Sequence, residues 1–180
     1  MITQFIESLQ SKWEDLQKQY NCRYTLNPVT VEEYLRREKH MRRKNRWLTI
    51  SYYPYARCHY DGGKPKNKAW VYLFTEKLNR LTITPNTFKE LVDIFTITLR
   101  HEMGHCLVYR HLFETASDAE RNAYFDACDA DWIQESVQPS YEQLLAYEMQ
   151  TSEQTANAAV GLTTEELMSF QMLLEKFIKH

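Results

Sequence analysis

Residues 84–113 read TPNTFKELVDIFTITLRHEMGHCLVYRHLF. Thr84 to Thr87 is a helix-start signal, and Glu90 follows Thr87 by three residues, the spacing of a capping box. The stretch predicts one long helix over 86–113, and that helix carries His101-Glu102-Met103-Gly104-His105 in its interior. Upstream, WLTISYYPYARCHY (47–60) and KAWVYLFTEKLNRLTITP (68–85) are rich in β-branched and aromatic residues, with an Asp61-Gly62-Gly63 turn between them. They predict a small antiparallel or mixed sheet over 47–84, with two strands of the second segment joined by a turn around Glu76 to Arg80.

Outward from this centre, helical patterns dominate. Ile2, Phe5, Ile6, Leu9, Trp13 and Leu16 recur at three and four, which predicts an amphipathic helix over 2–20. A second helix is expected after the Asn27-Pro28 break, through VEEYLRREKHMRR, so that 1–46 forms a helical N-terminal part. Three further helices, over 118–137, 140–158 and 163–178, complete the chain, separated by Gln138-Pro139 and Gly161. Neither an internal repeat nor a linker divides residues 1–180, and the expected class is a single, mostly helical α+β domain.

The bulk composition narrows the function. The chain has 180 residues, is 43% hydrophobic and 26% charged, and contains only four Gly and five Pro. That composition excludes disorder and argues against a turn-rich β-barrel or a glycine-rich phosphate loop. A net charge of −2 gives no global attraction to nucleic acid or anionic membrane. Charge is nonetheless segregated, because residues 36–46 hold seven of the 22 Lys and Arg whereas residues 114–153 hold ten acids and one Arg. The basic segment is read first as a solvated helix end and second as a phosphate-binding patch for nucleic acid. No apolar run approaches membrane-spanning length and no secretory signal is visible, so a cytoplasmic protein is expected. The four cysteines form no CxxC pair and are read as reduced, structural thiols.

Chemistry concentrates in the HExxH. Two imidazoles at i and i+4 lie on one helical face roughly 6 Å apart, close enough to hold one Zn²⁺ at about 2.0–2.1 Å. Glu102 can then serve as general base toward water. Gly104 points the same way, because an interior helical glycine costs about 1 kcal/mol relative to Ala and so asks for a packing or site reason. Glu102 and His105 also fit the ExxH of di-iron bundles, but only one such pair exists and the preceding strands do not fit a bundle.

The third ligand is open at this level. His111 has the spacing of HExxHxxGxxH, but Val108 stands at the glycine position, and a helix that continues places His111 about 9 Å beyond His105. On a 118–137 helix, Asp126 and Asp129 fall inside an apolar arc that includes Phe125, Trp132, Ile133 and Val137. On a 140–158 helix, Glu148 sits in the middle of the inner face. Consecutive antiparallel hairpins bring all three acids level with the HExxH. Asp129 is therefore the expected third ligand, with Glu148, Asp126 and His111 as alternatives and Asp126 otherwise orienting a histidine.

At this point the chain resembles the zincin metallopeptidases, specifically the minimal intracellular ones in which two strands precede an HExxH helix. The resemblance covers about residues 69–113, and implies His101 and His105 as zinc ligands, Glu102 as catalytic base and hydrolysis of a peptide or protein substrate. It also implies that KAWVYLFTE or RLTITP supplies the sheet edge on which an extended peptide pairs. The downstream acids are similar to the gluzincin plan, departing from it in that the nearer ones are Asp. Glu153-Gln154-Thr155-Ala156-Asn157 looks like the ExxAN of ImmA/IrrE-type zincins, although on the 140–158 wheel its Glu points off the apolar face and ranks below Glu148. The basic segment is similar to that of DNA-linked SprT-like zincins. A non-hydrolytic zincin-like module that binds nucleic acid or protein is the alternative function. Tyr109, Tyr141 and Tyr147 are candidate donors to an oxyanion.

Overall fold

The structure, a computed structural model, describes residues 1–38, 55–61, 68–132 and 141–178. It is α+β, mostly helical with one small mixed sheet. Helix α1 (Ile2–Gln19) buries the expected stripe Phe5, Leu9, Trp13 and Leu16. Its Trp13 indole donates to the Tyr24 carbonyl at 2.7 Å, tying the helix to the strand that follows.

That strand, β1 (Thr25–Val29), runs through Asn27-Pro28, which the sequence reading takes for a break. The sheet order is β1-β3-β2, with β1 parallel to the central β3 (Lys68–Phe74) and β2 (Ala56–Asp61) antiparallel to it. Proline cannot donate to a ladder, yet an edge strand leaves one side of each residue unpaired, and Pro28 sits on that edge opposite Leu73. Helix α2 (Val31–Arg37) starts on a capping box of Thr30 and Glu33. The expected continuation through the basic residues 39–46, the strand over 47–54 and the Gly62-Gly63 turn lie outside the described residues.

Alternation along β3 gives the sheet two packed faces. Val71 and Leu73 join the main core with α1, whereas Tyr72 and Phe74 pack with Val29 and Tyr34 beneath α2. After β3 the chain does not turn into a second strand. It forms a short helix, α3 (Thr75–Leu78), and Leu81 then makes a single bridge to Ile178 near the C-terminus.

The long helix α4 (Phe88–Glu114) is the axis of the molecule, packed by α1 and β2 on its flanks and by the C-terminal helices. Helix α5 (Asp118–Ala130) has a Ser117/Glu120 capping box but buries no residue. The expected 140–158 helix is two helices, α6 (Tyr141–Glu148) and α7 (Thr151–Val160), broken at Met149-Gln150. The break is fixed from outside: the Asp131 carboxylate, just beyond α5, accepts from the Thr151 backbone N–H and hydroxyl and so begins α7. Gly161 closes α7 in the left-handed region at φ 67°, where a side chain is strained. Helix α8 (Thr164–Glu175) then returns to α4, and Thr82 N–H donates to the Phe177 carbonyl at 2.7 Å. Among the described residues no helix is long and apolar enough to cross a membrane.

Candidate metal centre

The helix that lies against the HExxH is α7, rather than α5 or α6, and one glycine sets the distance between the two. A Cβ built on Gly104 would stand 2.0 Å from the Ala156 carbonyl oxygen, so only glycine permits this approach. Ala156, Asn157, Glu153 and Val160 form the buried face of α7, at helical spacing. Two of those four residues are polar, and both point at the histidines.

The Glu153 Oε2 oxygen lies 2.9 Å from His101 Nε2 and 3.4 Å from His105 Nε2. The two Nε2 atoms are 3.1 Å apart. On the far side of the His101 ring, Nδ1 donates to Asn157 Oδ1 at 2.7 Å, which turns Nε2 toward the cluster, where the neutral ring would present its lone pair. These three ligand atoms, two imidazole nitrogens and one carboxylate oxygen, can hold a metal ion.

Electrostatics of the cluster follow from its burial. Removal from water pushes the His101 imidazole down, but the hydrogen bond and charge of Glu153, with help from Glu102 and Asn157, outweigh it and raise His101 to about 10. Burial works against the charged Glu153 as well, yet His105 and His101 hold its carboxyl well below the usual carboxylate range. Glu148, at the end of α6, is buried beside them. Desolvation pushes its carboxyl up to about 7, reinforced by the negative Glu153 and opposed by both histidines. Glu102 is buried next to the first histidine, at 7% exposure.

An aromatic wall stands beside His105. The Tyr109 ring stacks on it at 6.4 Å between centroids, and Tyr60 of β2 stacks on Tyr109 at 4.1 Å. Burial pushes the Tyr109 hydroxyl up, so it stays protonated. Tyr141, by contrast, is 56% exposed on α6.

Among the acids singled out from the sequence, Asp129 does not reach the histidines. Both Asp129 and Asp126 are exposed on α5. The apolar arc expected to bury them draws on Trp132, which follows the helix end at Ala130 and is 68% exposed, and on Ile133 and Val137, which lie outside the described residues. His111 stays in the helix and pairs its Nδ1 with the Thr115 hydroxyl at 2.7 Å, facing solvent. Glu148 neighbours the cluster, but the carboxylate among the histidines is that of Glu153. The sequence reading placed Glu153 off the inner face because it carried one helical phase across Met149-Gln150. Starting the wheel afresh at Thr151 puts Glu153, Ala156, Asn157 and Val160 on one face.

The fold and the cluster thus define a mostly helical α+β structure with a His-His-Glu set, spanning two helices, that could hold a metal ion. Compared with protein-family models, curated proteins and solved structures, the chain matches none.

Proposed function

We propose that this chain is a zinc-dependent metallopeptidase of the zincin type. The observation that carries the reading is a half-buried pair of HExxH histidines sharing a buried carboxylate from a second helix, with a further buried carboxylate, Glu102, beside them. Donor chemistry and spacing fit zinc: four ligands at about 2.0–2.1 Å in a tetrahedron are about 3.3–3.4 Å from one another, and the three donor separations here are 2.9, 3.1 and 3.4 Å. The Glu153 to Asn157 segment is also the part of the chain that looks like the ExxAN of ImmA/IrrE-type zincins.

Zinc held by His101, His105 and Glu153 would supply Lewis-acid activation of water at neutral pH. Within this reading the protein does the rest. Glu102 takes a proton from the attacking water and hands it to the amide nitrogen as that nitrogen leaves. Asn157 keeps the His101 ring in the tautomer that presents Nε2. Since β3 is paired on both sides, it offers no edge to a peptide. Among the described residues the sheet edge that runs along α4 is β2, and we assign an extended substrate to that edge.

The test is metal analysis of purified protein beside cleavage of a denatured protein by wild type and Glu102→Gln. Wild type should carry about one zinc and cleave, and the variant should carry zinc and lose cleavage by several orders of magnitude. Equal cleavage by both, or a wild type that retains no zinc, defeats the reading. Zinc in both without cleavage by either leaves a metal-dependent binding module.

A further inference from the structure

Cys58 and Cys106 face each other across the seam between the edge strand and the metal helix, with their Sγ atoms 3.4 Å apart. Cys58 belongs to β2, paired with Val71, and Cys106 follows His105 directly on α4. Cys22 lies close by but is engaged elsewhere, donating its thiol to Met103 Sδ at 3.4 Å. All four cysteines are free thiols.

We propose that Cys58 and Cys106 are a redox modification site, oxidised by a hydroperoxide to a disulfide that loosens the metal centre. Cys58, half-buried on β2 and held as a thiol by burial and by its Cys106 neighbour, reacts through the small thiolate fraction that remains. Its sulfur attacks the peroxide oxygen, the O–O bond breaks, and the products are a cysteine sulfenic acid and water or an alcohol. The Cys106 sulfur then attacks the Cys58 sulfur, the S–O bond breaks, and water leaves with the thiol proton. Two thiols lose two electrons and the peroxide gains them.

Direction follows from the helix. Gly104 faces α7, and Cys106, two residues on at 100° per residue, faces the opposite way toward β2. A disulfide needs its sulfurs at about 2.0 Å, well inside the present 3.4 Å. Closing that gap draws the His105 turn toward β2 and away from Glu153. Metal sites tolerate only about ±0.2 Å in their ligand distances. The same pull acts on Tyr60 and Tyr109, which stack against His105. Cross-linking itself is independent of the peptidase reading; only its effect on the ion rests on the metal centre.

The experiment treats zinc-loaded protein with hydrogen peroxide and reads three things: intact mass, the cross-linked peptides after digestion, and the rate of zinc transfer to a chromophoric chelator. The expected result is loss of two hydrogens, a Cys58–Cys106 peptide pair, and zinc release faster on the order of tenfold, reversed by dithiothreitol. Cys58→Ala should abolish both the pair and the acceleration, whereas Cys22→Ala should keep both. A Cys22–Cys106 pair, over-oxidation without cross-linking, or a Cys58–Cys106 pair with unchanged zinc release overturns the proposal. If the protein binds no zinc but the cross-link forms, the metal reading fails and the thiol pair stands.

Discussion

His101 and Glu153 stabilise each other's charged forms, and the consequence can be followed with pH. His101 is raised from 6.5 to about 10, so its contribution to the stability of the metal-free protein is complete below about pH 6.5 and disappears as pH rises through about 10. Glu153 is lowered from 4.5, so its contribution is present above about pH 4.5 and fades as pH falls toward its depressed value. Glu148, raised to about 7, contributes in the other direction and loses its share as pH rises from about 4.5 through 7, so the metal-free protein should melt highest near pH 4.5 to 5 and decline on both sides. Thermal denaturation in chelator, compared with Glu153→Gln, checks this: the alkaline decline should shrink in the variant, and an unchanged decline would assign it to other groups. Because a metal ligand must be an unprotonated imidazole, ion uptake at pH 7 should release a proton from His101, measurable by calorimetry in buffers of different ionisation enthalpy.

At the scale of elements, the approach of α4 to α7 hangs on Gly104. Gly104→Ala would gain about 1 kcal/mol of helix propensity, but its Cβ would meet the Ala156 carbonyl at 2.0 Å, a backbone atom that cannot rotate aside. Overpacking of this kind costs about 1–3 kcal/mol or more. The variant should lose metal as well as stability, because the displaced helix carries Glu153 and Asn157. Gly161→Ala is the control: strained at φ 67° by about 1–2 kcal/mol, it meets no atom within 4 Å and should lower the melting temperature while leaving metal content intact. Equal metal content in both variants would separate the close approach from the site.

The same elements explain what could be read in advance. The shared face of His101 and His105 and the α1 stripe were legible because spacing within one helix determines which residues lie together. Gly104 signalled a close contact through its rarity. The place of Glu153 was hidden because it depends on a helix break capped by Asp131, twenty residues away. Likewise β1 was hidden by a proline that only an edge position tolerates, and the second expected strand of 68–85 gave way to α3. Such contacts are tertiary, and no local window contains them.

Across the whole molecule, the His-His-Glu cluster links the core helix α4 to α7, which is otherwise held by packing, by the Asp131 cap and by the Tyr20 and Arg100 side chains on the Val160 carbonyl. An ion bound there stabilises the folded state in proportion to the logarithm of its concentration over its dissociation constant, about 4 kcal/mol at a thousandfold excess. Stripping the ion should lower the melting temperature by several degrees, and Glu153→Gln should melt the same with or without chelator. A wild type indifferent to chelator would detach the cluster from any role in stability. Asn157 and His101 are 56 residues apart in sequence. Synthesis runs from the N-terminus, so the HExxH leaves the ribosome long before its partner helix exists. A nascent chain that stops short of Glu153 carries two histidines without their carboxylate, so the cluster is complete only once helix α7 has been made.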